Sequence, residues 1–104
     1  MNVKVDLGAA LDGLFPGLLQ AHSQVIAWAG DDFVMKVTLV FDHEFDIEDR
    51  AEDCAQACER IRAQFSAFWT EHHLATFGFE PGCRIMLQFK TQTDASPNAS
   101  FSSN

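Results

Sequence analysis

Apolar residues recur along this chain with two different periods, and the period changes mark its elements. Asn2–Leu7 alternates, with Val3, Val5 and Leu7 on one face, and predicts a short strand. Gly8–Gln24 carries Leu11, Leu14, Phe15, Leu18 and Leu19 at helical spacing. Gly13, Pro16 and Gly17 interrupt it, so a short or broken helix is expected there. Val25–Ala29, a Gly30-Asp31-Asp32 turn and Phe33–Phe41 predict a β-hairpin, with Phe33, Met35, Val37, Leu39 and Phe41 inward. From Ile47 to His73 the period becomes helical. Ile47, Ala51, Cys54, Cys58, Ile61, Phe65, Phe68, Trp69 and His72 form a stripe about 100° wide, the mark of a helix burying one face. Asp46 is placed to cap it. Phe77–Gly82 reads as a turn region, and Cys83–Lys90 as a last strand with Ile85, Leu87 and Phe89 inward.

The order β-α-β-β-α-β predicts an α+β, ferredoxin-like split β-α-β fold. In it a four-stranded antiparallel sheet carries one long and one short helix on one face. A single domain is expected over residues 1–91, followed by a disordered polar tail over residues 92–104. If the apolar strand residues face the helices, Lys4, Lys36, Arg84 and Lys90 face outward with Thr38 and Gln88. Strands of five or six residues would span about 17–20 Å. An unbroken Ile47–His73 helix would run about 40 Å. Its Phe68, Trp69 and His72 end would then overhang the sheet, and a second copy of the chain is the economical cover, making these three residues the expected homodimer interface.

Composition sharpens this. With 104 residues, 47% hydrophobic content and ten Phe, the chain holds one real core and is not a disordered segment. No apolar run approaches 18 residues and no charged-then-apolar leader follows Met1, so a cytoplasmic protein without a membrane span is expected. Three cysteines without framework spacing fit a reducing compartment.

The charge is concentrated. Asp42, Glu44, Asp46, Glu48, Asp49, Glu52, Asp53 and Glu59, against Arg50 alone, give residues 42–59 a sum of −7 out of the chain's −8. Acids in the first turns of a helix are stabilised by its unpaired amides and its dipole, by roughly 0.3–1 kcal/mol each. Glu48/Glu52 and Asp49/Asp53, however, are like-charge pairs at i, i+4, which weaken a helix. The surplus makes these eight acids the candidate partner-binding surface. It excludes direct DNA binding through this region and points to a basic protein surface, including that of a nucleic-acid-binding protein.

Candidate chemistry is sparse. Cys54 and Cys58 lie mid-stripe among Ile and Phe, where cysteine acts as a small hydrophobe, so no metal and no cofactor are expected. Asp42-x-Glu44-x-Asp46 lacks the glycine of a calcium loop, since Ile47 occupies the sixth position. His72 and His73 sit where a helix C-terminus favours them. Gly8, Gly13 and Gly17 match no phosphate-binding spacing. Trp28 is most simply core opposite the Phe33 strand; if exposed beside Lys36 and Lys90, it becomes a stacking or dimerisation anchor.

The resulting expectation is a small acidic, non-catalytic inhibitor or adaptor. In size and charge it is similar to toxin-neutralising immunity proteins and phage anti-defence proteins, a similarity of character and not of motif. The alternative is a dimeric ferredoxin-like protein with a small-molecule pocket between helices and sheet, catalytic through His72, His73 or Cys83.

Overall fold

The protein is described by a computed structural model over residues 5–92 and 99–103, the last five through their backbone alone. Its elements are α1 (Leu7–Ala10), β1 (Leu18–Ala29), β2 (Asp32–Phe41), α2 (Ala51–His72), α3 (Leu74–Phe77), β3 (Gly82–Thr91) and β4 (Ala99–Ser103). The three long strands form a mixed sheet in the order β1-β2-β3, with β1 antiparallel and β3 parallel to β2. The backbone of β4 adds antiparallel to the other side of β3.

The hairpin is local chemistry. Ala29 pairs with Asp32 across the two-residue turn Gly30-Asp31, and Gly30 supplies the left-handed φ of 61° that such a tight turn requires. Period-two patterning then orients β2 and β3. Phe33, Met35, Val37, Leu39 and Phe41 are buried, as are Cys83, Ile85, Leu87 and Phe89. Antiparallel strands need only a turn between them, whereas parallel neighbours need a crossover, which α2 provides while packing on β3. It buries Cys54, Ala57, Cys58, Ile61, Phe65 and Trp69. Each fully buried Ile, Leu or Phe side chain contributes about 1.5–3 kcal/mol.

The expected fold needs correction. The sheet is mixed, not a four-stranded antiparallel sheet of ferredoxin-like β-α-β-β-α-β order. Of the expected first strand, residues 1–4 lie outside the described residues. Leu7 opens α1 instead, whose N-cap Asp6 accepts a hydrogen bond from the Ala9 amide through its side chain. The expected helix over residues 8–24 is mostly strand. After one helical turn the chain makes two further turns, with the Leu14 amide donating to the Leu11 carbonyl and the Leu18 amide to Phe15. Gly13, Pro16 and Gly17 prevent the helix from continuing, and Leu18 enters β1. The period-two signal of β1 is faint because its inward positions are Ala21, Ser23 and Val25, only half-buried. Among the described residues the hairpin opens the sheet, and β3 takes the place beside β2 that the split arrangement reserves for other neighbours.

The expected length mismatch also disappears. Ten-residue strands span about 33 Å at 3.3 Å per residue, and the 22-residue α2 is about 33 Å long. Helix and sheet therefore end together. Of the expected polar tail, residues 93–98 and 104 lie outside the described residues, while the backbone of residues 99–103 forms β4. No helix among the described residues is long and apolar enough to cross a membrane.

Candidate functional site

The acidic stretch begins where β2 ends. Phe41 is buried, Asp42, His43 and Glu44 turn outward, and Phe45 turns back into the core. There its ring stacks on Phe89 at 4.4 Å and on Phe41 at 4.8 Å. Asp46 is the cap that its position predicts, though of a preceding turn and not of α2. Its Oδ1 accepts from the amides of Glu48 (3.0 Å) and Asp49 (3.4 Å). The turn 47–50 follows, and α2 starts at Ala51, not at Ile47.

Arg50, the lone base of the run, ties this corner together. Its Nε donates to Asp53 Oδ2 and its Nη2 to the Leu14 carbonyl, both at 2.6 Å. The guanidinium carbon lies 5.9 Å from the Phe15 ring centre and 5.6 Å from that of Phe45, a cation–π arrangement. Asp42 is held at 2.6 Å from His43 Nδ1, and both lean over Gly17, where a Cβ would come within 2.9 Å of each.

The eight acids thus divide. Asp42, Asp46 and Asp53 have partners within the fold. Glu44, Glu48, Asp49, Glu52 and Glu59 are exposed, with no side-chain hydrogen bond or ion pair among the described residues. Glu52 and Glu59 lie two turns apart on the solvent side of α2. The i, i+4 repulsion expected from the sequence is also softened. Glu48 and Asp49 precede the helix, and Asp53 is neutralised by Arg50.

The opposite face of the sheet has the other sign. Lys36, Arg84 and Lys90 point away from α2 together with His22, Gln24, Thr38 and Gln88, as the strand parity predicts; Lys4 lies outside the described residues. Between Val34 and Val40, and between Arg84 and Lys90, this face carries three bases and no acid.

The residues expected to pair two copies divide as well. Trp69 is 0% exposed, its Nε1 donating to the Phe79 carbonyl at 2.6 Å. Its ring is 5.4 Å from Phe77 and 5.5 Å from Phe33, so the chain's own α3 and the segment after it cover the helix end. Phe68 is half-buried and packs on His72 at 4.7 Å, with His72 exposed.

All three cysteines are buried thiols. Burial, then the neighbouring Cys58 and Asp53, push Cys54 up to about 11 against the opposing Arg50. Burial likewise raises Cys83 to about 11, with Arg62 opposing and Cys58 adding to the rise. Thiols that stay protonated are poor nucleophiles and poor metal ligands. No three His, Cys, Asp or Glu side chains among the described residues converge to hold a metal ion.

Two features escape sequence reasoning. One is the anchoring role of Arg50, for which its isolation among acids is the available signal. The other is an exposed apolar set, Leu19, Ile26, Trp28, Phe77 and Phe79. Trp28 lies opposite Phe33 as the first expectation has it, its ring stacked on Phe33 at 4.5 Å, yet it is 44% exposed; that exposure is on the helix side of the sheet, not beside Lys36 and Lys90. Two grooves of about 300 Å³ border β1, one lined by Leu7, Leu11, Leu18 and Leu19, the other by Val25, Ile26, Trp28 and Phe33. Neither is the Phe-lined pocket between helices and sheet that the small-molecule alternative requires. No family model, no curated protein and no solved structure matches this chain.

Proposed function

We propose that this protein is a cytoplasmic, non-catalytic binding domain of the inhibitor or adaptor type. It docks the surface formed by Glu44, Glu48, Asp49, Glu52 and Glu59 on a basic patch of a partner protein, nucleic-acid-binding proteins being one class that carries such patches. A single observation carries this reading: these five carboxylates, all within residues 44–59, are exposed and have no side-chain hydrogen bond or ion pair among the described residues. Asp42, Asp46 and Asp53 border the same surface and add to its field without being free to rearrange. Such a field accelerates encounter with a basic partner and excludes acidic ones.

The test replaces Glu44, Glu48 and Glu52 with Gln and Asp49 with Asn. These side chains have no hydrogen-bond or ion-pair partners among the described residues, so unfolding stability should change by no more than about 1 kcal/mol. The wild type, used as bait at low salt in a lysate of its native cell, should retain basic proteins that elute as salt rises. The amide variant should lose them, chiefly through slower association. A folded variant that retains the same proteins would overturn the proposal.

A further inference from the structure

We propose that two copies of this chain pair edge to edge through β1, antiparallel, about a two-fold axis near His22 and Ser23. The first observation is the bare edge. Among the described residues, β1 has β2 on one side only, runs for twelve residues and buries none of them. Its register slips at Leu18/Gln20 and at Val25/Ala27, which leaves Gln20–Val25 as a regular stretch whose outward N–H and C=O groups have no partner strand among the described residues. Edge strands usually guard such groups with charge, proline or bulges. The irregularities of β1 lie at the two ends of this stretch, which itself has neither charge nor proline. Residues 13–30 contain no Asp, Glu, Lys or Arg, and Pro16 precedes the strand.

The second observation is charge, which selects another copy as the occupant. Each chain carries −8, so two copies can meet closely only where neither brings acids. The neutral β1 edge is such a place. Charge also selects the direction. Leu18 pairs with Phe41, so the acidic stretch starts at the Leu18 end of β1. Parallel association would set the two acidic stretches side by side. Antiparallel association sends them to opposite ends, roughly 30 Å apart at 3.3 Å per residue, several screening lengths in physiological salt.

The third observation is the arrangement of apolar groups. Leu19 lies at one end of the regular stretch and Ile26 and Trp28 at the other, 44–46% exposed; between them Ala21, Ser23 and Val25 lie on the Trp28 side of the sheet and Gln20, His22 and Gln24 on the other. A two-fold axis through the middle brings the Leu19 end of one copy against the Ile26 end of the other. Each of the two grooves then faces its counterpart, the self-complementarity that a closed dimer demands.

Sedimentation of the full chain over a concentration series tests this, with Leu19→Lys/Ile26→Lys as the breaking variant and Phe68→Glu as the control. Both lysines replace exposed side chains, and circular dichroism checks that the fold persists. The wild type should dimerise more strongly as salt screens its acids, the reverse of the salt response of the acidic surface toward a basic partner. The double lysine variant should weaken dimerisation at least about tenfold, and Phe68→Glu should leave it unchanged. Hydrogen exchange should show Gln20–Val25 amides becoming protected as concentration rises. A wild type that stays monomeric throughout overturns the proposal, even if a different protein protects those amides. A dimer that Phe68→Glu dissolves and the lysines do not overturns it in favour of the helix end.

Discussion

The core has an aromatic cluster at each end, and the two are closed differently. At the C-terminal ends of β2 and β3, Phe15, Phe41, Phe45 and Phe89 are all at most 6% exposed. At the other end Trp69 and Phe33 are as deeply buried, but the rings over them, Trp28, Phe77 and Phe79, are 39–44% exposed. The difference lies in what holds the cover. The first cluster is closed by the chain between α1 and β1, clamped from Arg50 to the Leu14 carbonyl. The second is closed by the four-residue α3 and the segment leading to β3, held to the helix by the bond from Trp69 to Phe79. Similar rings thus make a sealed end and an open one.

The contrast predicts a ranking of stability losses. Phe89→Ala should cost most, about 3–5 kcal/mol by denaturant unfolding, because it opens a cavity among three aromatic neighbours, Phe15, Phe41 and Phe45. Arg50→Ala should follow at about 1.5–3 kcal/mol, since it removes charge-assisted hydrogen bonds and uncovers Phe15 and Phe45. Arg50→Lys should recover little, because an ammonium cannot reach both acceptors in the planar geometry of the guanidinium. Phe77→Ala should cost least, about 1 kcal/mol, its ring being already part-solvated. Equal losses at Phe77 and Phe89 would erase the distinction between the ends, and a harmless Arg50→Ala would leave the sealed end without its clamp.

Periodicity made some of this legible in the sequence. The inward residues of β2 and β3 and most of the buried stripe of α2 follow directly from spacing, although Ala51 and His72 prove exposed while Ala57 is buried. The turn at Gly30-Asp31-Asp32 was equally plain, although Asp32 already belongs to β2 and leaves a two-residue turn. Strand neighbours were not, because alternation at Ile85, Leu87 and Phe89 reads the same in parallel and antiparallel pairing. The helical spacing from Leu11 to Leu19 misled for a related reason. Leu11, Leu14 and Phe15 are indeed buried, but from consecutive turns instead of one helix. For the acidic surface, the sequence supplied every residue and the excess charge. It could not separate Asp42, Asp46 and Asp53, which have partners in the fold, from the five that do not, since the partners of Asp53 and Arg50 depend on where Leu14 comes to rest.

The parallel pairing of β2 with β3 also has a consequence in time. The β1–β2 hairpin is local and closes within microseconds once its residues are available. The β2–β3 ladder joins residues about fifty positions apart and requires a much larger loop to close. During synthesis at 5–20 residues per second, Phe41 precedes Thr91 by roughly 3–10 s. Throughout that interval the hairpin has no β3 beside it. The uncharged edge of β1 and the apolar edge of β2 are then both open, and the nascent chain is at its most prone to pair with a stranger.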